Sequence, residues 1–304
     1  MKTPIILIIY HRQKLVKNLI DSLRKIKPSK IYVVADGPKN KKDLKLCLAT
    51  RKHINSIDWP CKIYKKYSKT NKGLRNNVVS GLNWAFKKEN KAIILEDDLV
   101  IDPSFFKFCE KLLIKYAKNK RIISIAGNNF QFGKNPIKES YYFSRYVHSW
   151  GWATWKRAWK LFDDEMSDWP KLRKNNWLNK VFQSRVAGLF WKKIFDMTFN
   201  NEVDSWAYRW TYTSLLHNKL TIIPKNNLVS NVGYGKNATH TKQKGRNLDM
   251  PLRNIDFPLI HPSKVKINKV ADLRTEKKVY LNPIMLLSLF LRNFLQILKI
   301  KYDK

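Results

Sequence analysis

Two apolar, β-branched segments separated by a helical pattern constrain the fold of this chain more than any other feature. Residues 4–10 (PIILIIY) and 31–35 (IYVVA) are nearly continuous hydrophobic runs, typical of strands buried on both faces of a parallel sheet. Between them, apolar residues recur at helical spacing: Leu15, Leu19, Ile20 and Leu23. A strand, a helix and a strand in this order predict a right-handed βαβ unit.

The alternation of strands and helices continues to about residue 130. The patterns predict helices over 43–51, 74–88 and 103–116, and strands over 61–65, 92–95, 121–127 and 220–224. This arrangement predicts an α/β protein with an open sheet, whose ligand lies outside the carboxyl ends of the strands.

The second half of the chain has a different character. Residues 141–210 hold nine of the eleven tryptophans. Trp152, Trp155 and Trp159 have helical spacing, so we expect helices packed on the sheet. A pocket-forming loop is expected around Ser149–Trp152, where Trp150 and its neighbours offer flat faces for stacking on a sugar or base. The alternative for these tryptophans is core packing.

Charge is the outlier in the composition. Sixty basic and 23 acidic residues give a net charge of +37, which predicts attraction to polyanions or to an anionic membrane surface. A lysine-rich coding bias is the alternative origin. The chain has no arginine-rich helix or RNA-binding aromatic motif, so specific nucleic-acid recognition is not expected.

Cysteine content and hydrophobic runs bear on location. The three cysteines form no CxxC pair, so neither a disulfide framework nor a zinc knuckle is expected, and a reducing compartment such as the cytoplasm fits best. The first ten residues are interpreted as a strand and not as a signal peptide. No run of 18 or more apolar residues occurs, so no membrane span is expected.

The strongest chemical signal is the carboxylate triplet Glu96-Asp97-Asp98, directly after the strand 92–95. Three adjacent acids repel one another unless a cation compensates, and their oxygens suit Mg²⁺ or Mn²⁺ held together with substrate phosphates. The alternative is an acidic loop at the start of the next helix.

Other polar residues at the strand ends have two interpretations each. Asp36 either accepts hydrogen bonds from a nucleoside or forms a turn with Gly37-Pro38. Arg12 either pairs with a phosphate or lies on the surface. Asp204 is either a catalytic carboxylate or a helix N-cap, and His240 is either a ligand or an exposed loop residue.

Taken together, these motifs resemble GT-A glycosyltransferases, in the branch of N-acetylglucosaminyltransferase I and the bacterial HlpA-like ("hemolytic protein") nucleotide-diphospho-sugar transferases. The resemblance is carried by several segments in the family's order: 4–12, 34–38, 71–75, 80–84, 93–99, 102–106, 142–146, 150–155, 204–206, 227–233 and 238–240. One departure stands out: Tyr10-His11-Arg12 differs from the Phe-Asn-Arg or Cys-Asp-Arg expected at this position. The acidic triplet EDD, in place of DxD, is normal for this branch.

The resemblance implies a GT-A fold, a Rossmann-like open mixed sheet flanked by helices. It also implies an inverting, metal-dependent glycosyltransferase that uses a nucleotide-diphosphate sugar. It assigns metal binding to Asp98 and His240, and Asp204 as the base. It implies donor binding by the following residues: Arg12, Asp36, Arg75, Glu96, Asp97, Trp150, Gly151 and Trp152.

The segments predict a transferase domain over residues 1–245 and an extension over 246–304 ending in an amphipathic helix. That helix, over 283–298, lies either on an anionic membrane or against protein. We expect a cytoplasmic or peripheral membrane enzyme that uses a UDP-linked donor, with Mn²⁺ or Mg²⁺, on a cell-surface glycan or lipid-linked acceptor. The rivals are a sugar-phosphate nucleotidyltransferase and a non-catalytic polyanion-binding relative of the fold.

Overall fold

In a computed structural model of the protein, residues 1–134, 137–182, 184–234 and 248–281 are described. Two predictions, the metal-binding role of His240 and the amphipathic helix over 283–298, lie outside these residues. Within them, no helix has the length and apolar character needed to cross a membrane.

The core of the molecule is a mixed sheet of eight strands in the order β3-β2-β1-β4-β8-β6-β9-β7. These strands are β1 (Ile5–Ile9), β2 (Lys30–Ala35), β3 (Lys62–Tyr67), β4 (Lys91–Glu96), β6 (Ile122–Ala126), β7 (Tyr141–Ser144), β8 (Trp152–Trp155) and β9 (Leu220–Pro224). A separate antiparallel pair is formed by β5 (Leu99–Ile101) and β10 (Val229–Asn231). The predicted class, α/β with an open mixed sheet flanked by helices, is confirmed.

Strands β1, β2 and β4 are parallel neighbours, as their hydrophobic runs predict. Ile5 pairs with Ile31 on one side and with Ile93 on the other. Every residue of β1 is buried because helices cover both faces of the sheet. The carboxyl ends of these strands therefore meet at one edge.

The helices are α1 (Gln13–Arg24), α2 (Lys41–Lys52), α3 (Leu74–Lys88), α4 (Ser104–Lys115), α5 (Lys156–Trp159), α6 (Trp169–Leu172), α7 (Trp177–Val181), α8 (Arg185–Phe199), α9 (Trp206–Leu216) and α10 (Lys269–Thr275). A 3₁₀ turn at His53–Ser56 follows α2, and a π-helical turn at Glu276–Tyr280 follows α10. The predicted segments over residues 13–124 and 220–224 agree with these elements to within a few residues.

The purely helical interpretation of residues 141–210 is wrong, because this region contributes β7 and β8 to the sheet. Trp152 and Trp155 are three residues apart on a strand and therefore face opposite sides. Trp152 stacks on Trp206 with ring centroids 5.4 Å apart. Trp155 donates its indole N–H to the carbonyl of Leu113 in α4, at 3.0 Å. The core-packing alternative therefore describes both side chains, since both are buried.

Residues 248–281 pack on the sheet rather than extending away from it. Ile267 forms a β-bridge with Phe143, and the backbone N–H of Asn268 donates to the Phe143 carbonyl at 2.8 Å. The side chain of Asn268 caps α10 by accepting a hydrogen bond from the Ala271 N–H. The division at residue 245 stays a prediction.

Candidate active site

The carboxyl edge of β1, β2 and β4 gathers the polar residues singled out in the sequence. Arg12 lies three residues beyond β1, Asp36 directly follows β2, and Glu96 ends β4 with Asp97 and Asp98 next in the chain. Because β8 runs antiparallel to β4, its first residue also lies at this edge, opposite Ile94. Parallel α/β sheets bind ligands in the crevice at such an edge.

Arg12 neutralises part of the acidic triplet. Its guanidinium donates to Asp97 Oδ1 at 3.1 Å and to Asp98 Oδ2 at 2.7 Å. Asp97 Oδ2 also accepts the Tyr10 backbone N–H at 3.2 Å. The two aspartates are buried, at 7% and 8% exposed.

The triplet carries more negative charge than its surroundings compensate. Burial, and then the charges of Asp98 and Asp97, raise the pKa of Glu96 to about 8. Burial raises the pKa of Asp97 to about 7; Asp98 adds to this rise, while Arg12 opposes it. Both raised pKa values mean that a further positive charge at this edge would stabilise the ionised carboxylates.

Asp98 is held against the β5–β10 pair. Its Oδ1 accepts from the Asn231 side-chain amide at 3.2 Å, and its backbone carbonyl accepts from Val232 N–H at 2.9 Å. A Cβ at Gly233 would lie 2.0 Å from Asp98 Oδ2, so only glycine fits there without a shift of the carboxylate. Residues from opposite ends of the domain thus fix this carboxylate.

A divalent cation fits the chemistry of this edge. Among the described residues, no three His, Cys, Asp or Glu side chains converge as a ready-made metal site. Mg²⁺ and Mn²⁺, however, commonly bind through one or two carboxylates plus substrate phosphates. Asp98 can supply one such carboxylate, and the excess negative charge of Glu96 and Asp97 beside it favours a cation.

Asp36 organises the loops beside the triplet. Its Oδ1 accepts from the backbone N–H groups of Gly37 and Lys72, both at 2.8 Å, and its Oδ2 accepts from the Asn71 amide at 3.0 Å. The turn interpretation therefore describes the hydrogen bonds of this buried side chain. A role in donor binding stays a prediction.

Asp204 lies at the same edge without capping α9. Ser205 is the N-cap, and its side chain accepts from Tyr208 N–H, so the N-cap alternative for Asp204 is wrong. Asp204 is exposed, and its Oδ2 lies 3.4 Å from the position of a Cβ built on Gly73. Since Lys72 is bound to Asp36, Asp204 stands next to the loop that Asp36 organises.

The remaining predicted donor-binding residues have different surroundings. Arg75 donates to the Asp164 carboxylate at 2.8 Å and to the Asn201 side chain at 2.9 Å, so its guanidinium is engaged within the protein. Trp150 is half-buried and meets the Phe130 ring edge to face, at 5.3 Å between centroids.

Gly151 and Trp152 are buried at the start of β8. A Cβ at Gly151 would lie 2.9 Å from the Val229 side chain, so glycine lets β10 cross the end of β8. Trp152 stacks on Trp206 and thereby places the start of α9, and with it Asp204, at this edge.

Sequence reasoning missed a buried polar group beyond β6. The Asn128 side-chain amide and His148 Nε2 have no hydrogen-bond partner among the described residues. The other ring nitrogen, His148 Nδ1, lies 3.2 Å from the backbone carbonyl oxygen of Asn128. Burial lowers the pKa of His148 to about 4. An Asn-Asn pair directly after a buried strand was the available signal.

The chain matches no protein-family model and no curated protein. Among solved structures, it is similar to a mannosyltransferase from Pyrobaculum calidifontis, PcManGT, in complex with GDP-Man and Mn²⁺. The two are 13% identical with a TM-score of 0.38, over 53% of this chain and 45% of the mannosyltransferase.

It is also similar to UDP-glucose pyrophosphorylase in two structures. The complex with UDP-glucose is 14% identical with a TM-score of 0.31, over 49% of this chain and 64% of that one. The apo form is 13% identical with a TM-score of 0.30, over 49% and 66%. The chain thus spans less than two thirds of the length of each of these proteins. Similarity at this level assigns neither an activity nor a ligand to this chain.

Proposed function

We propose that the protein is an inverting glycosyltransferase that depends on Mn²⁺ or Mg²⁺. It would move a sugar from a nucleotide-diphosphate donor, UDP-linked by our sequence expectation, to a hydroxyl of a cell-surface glycan or lipid-linked acceptor. The observation that carries the proposal is the acidic triplet at the carboxyl edge, whose negative charge Arg12 compensates only in part.

In this proposal Asp98 would hold the cation, and Asn231 and Gly233 fix the direction of its carboxylate. When bound, the metal offsets the charge that develops on the departing diphosphate. Arg12 forms ion pairs with both Asp97 and Asp98, and its positive charge would lie next to the two phosphates of the donor. Glu96 and Asp97 would accept hydrogen bonds from the ribose or the sugar.

Asp204 would take the proton from the acceptor hydroxyl. Asp204 is exposed, so its carboxylate oxygens are open to an incoming acceptor. The stacking of Trp206 on Trp152 fixes the backbone two residues after it. A positioned carboxylate acting as general base contributes about 10²–10⁴-fold to such a step.

The first experiment measures thermal stability with UDP, GDP, CDP and TDP, each with and without Mn²⁺. We expect one nucleotide to raise the midpoint only with metal, because a ligand that binds the folded state stabilises it. Asp98→Ala should abolish that rise. Asp58→Asn, which removes an exposed acid paired with Arg24, is the control with the same charge change. Equal shifts with every anion, indifferent to metal, would support the polyanion-binding rival instead.

The second experiment separates the enzymatic alternatives. Transfer or hydrolysis of the nucleotide sugar is expected to fall by about 10³-fold in Asp98→Ala and by about 10²-fold or more in Asp204→Asn. Release of pyrophosphate from a nucleoside triphosphate and a sugar 1-phosphate would instead identify a nucleotidyltransferase. Near-normal transfer by Asp204→Asn would remove Asp204 from the mechanism.

A further inference from the structure

A cavity of about 530 Å³ lies between α2 and the edge strand β3, away from the acidic triplet. Four cations line it: Lys45, Arg51, Lys52 and Lys65. No carboxylate belongs to the lining, whose other members are neutral. A cavity with this composition favours a negatively charged occupant.

Two donors beside the cavity lack acceptors among the described residues. Arg51 lies over the Tyr67 ring at 4.8 Å, and one of its nitrogens donates to the carbonyls of Asp36 and Ser68. Its Nε, however, has no acceptor, and neither does the buried Tyr67 hydroxyl. Unpaired buried donors are costly, so the site is incomplete without an acceptor.

A second cavity with similar charge shows that lysines alone do not explain this arrangement. It is lined by Lys91, Lys156, Lys160 and Arg157, and likewise by no carboxylate. There the arginine is fully committed: its nitrogens donate to the backbone carbonyls of four residues, namely Ala117, Ile122, Tyr116 and Asn119. The unpaired donors distinguish the α2–β3 cavity.

Two exposed leucines of α2 lie at or near the cavity: Leu48 is one of its lining residues, and Leu44 precedes the lining residue Lys45. Leu44 and Leu48 lie one turn apart on α2 and are 41% and 49% exposed. Lysine on β3 also protects an edge strand from pairing with other chains, which accounts for Lys65. It does not account for exposed leucines between the lysines of α2. Apolar side chains flanked by lysines are typical of helices that lie on an anionic membrane.

We propose that the α2–β3 cavity binds the phosphate of an anionic membrane lipid, with Leu44 and Leu48 inserted among the acyl chains. Lys45, Lys52 and Lys65 would surround the phosphate. Rotation of the Arg51 and Tyr67 side chains would bring the buried Nε and hydroxyl, which lack acceptors, to the same phosphate. Arg51 also donates to the backbone carbonyls of Asp36 and Ser68. Arg51 would therefore connect the bound lipid to the loop at the carboxyl edge. The site does not depend on the proposed transferase activity.

The test is co-sedimentation of the full chain with phosphatidylcholine vesicles, with and without phosphatidylglycerol. One variant changes Lys45, Lys52 and Lys65 to Gln, and a second changes Leu44 and Leu48 to Ser. The matched control changes Lys91, Lys156 and Lys160 to Gln, which removes the same charge from the second cavity. Arg51 is left intact because it supports the loop of Asp36, and circular dichroism checks that each variant is folded.

We expect binding only to vesicles that contain phosphatidylglycerol. The cavity variant should bind roughly 100-fold more weakly, since each lysine near an anionic surface contributes about fivefold. The leucine variant should bind roughly tenfold more weakly, and the control should stay within about threefold of the wild type. Equal losses in the cavity variant and the control would overturn the proposal in favour of general charge attraction. Unchanged vesicle binding by the leucine variant, with stabilisation by inorganic phosphate, would overturn the lipid as the source of the phosphate.

Discussion

Two groups of buried carboxylates in this protein handle their charge in opposite ways. Where residues 268–281 pack on the sheet, Asp272 accepts from the Ser144 hydroxyl at 2.5 Å and from the Arg145 N–H at 3.1 Å, and it pairs with the Arg145 guanidinium at 3.5 Å. Nearby, Glu276 accepts from the Tyr146 hydroxyl at 2.8 Å. At the carboxyl edge, in contrast, three adjacent acids share Arg12.

The difference separates a structural contact from a candidate functional one. Burial raises the pKa of Asp272 to about 6, and its three partners oppose that rise. Each acid there has its own donors, and the group fastens the last described segment to the sheet. At the triplet a single guanidinium serves three adjacent acids, and groups with strongly perturbed pKa values in a cleft are candidates for function.

The largest effect on stability is expected from Asp272→Ala. It removes the partner of a half-buried arginine, Arg145, and of a buried hydroxyl, Ser144, which should lower the free energy of unfolding by about 3 kcal/mol. Urea denaturation measures this loss, and Asp58→Ala, at an exposed ion pair, should change it by less than about 0.5 kcal/mol. A comparable small change in Asp272→Ala would show that this group is not the fastening contact.

An intermediate effect is expected from pH. Glu96 and Asp97 have pKa values of about 8 and 7 in the fold, against ordinary values of 4.5 and 3.8. The folded state binds these protons more tightly, so their contribution to stability is complete below about pH 4 and is lost as the pH rises through 7 to 8.

Asp97→Asn removes one of the two acids with a raised pKa, and it also removes a negative charge beside the other, Glu96. Its free energy of unfolding should therefore decline less than that of the wild type between about pH 5 and pH 8, by on the order of 1–2 kcal/mol. Urea titrations at several pH values without metal measure the two curves, and titrations common to both proteins cancel in the difference. Parallel curves would mean that the triplet carries no excess charge.

The smallest effects should come from single neutral donors. Ser144→Ala takes one hydrogen bond from Asp272 and should cost about 1 kcal/mol. Asn231→Ala takes one from Asp98 and should cost less than about 1 kcal/mol, yet weaken the metal-dependent stabilisation by nucleotide several-fold. The comparison fails if Ser144→Ala weakens that stabilisation to the same degree.

The local patterns of the sequence were sufficient for the parallel half of the sheet. Buried runs such as Ile5–Ile9 and Ala92–Leu95 consist entirely of apolar residues, and polar residues follow soon after each run: His11 and Arg12 after the first, and the acidic triplet after the second. These runs placed Arg12, Asp36 and the triplet at one edge, because parallel strands end together.

Long-range partners could not be predicted from local patterns. Asn231 lies 133 residues from Asp98, and Arg145 lies 127 residues from Asp272. Trp152 and Trp155 fit helical spacing as well as they fit a short strand, and only pairing with β4 and β6 decides between them. From the sequence alone, Asp204 and Ser205 are equally good N-caps for α9. In the structure the helix begins at Trp206, so Ser205 is the cap.

Strand β8 has a consequence for how the molecule is made. It is the only connection in the sheet between the parallel half that ends with β4 and the half that begins with β6, within the strands described here. During synthesis, β4 is complete well before Trp152–Trp155 emerge, and until then it presents an open, apolar edge. Such an edge can pair with another nascent chain. A truncated product that ends before residue 152 should therefore aggregate rather than persist as a half-domain.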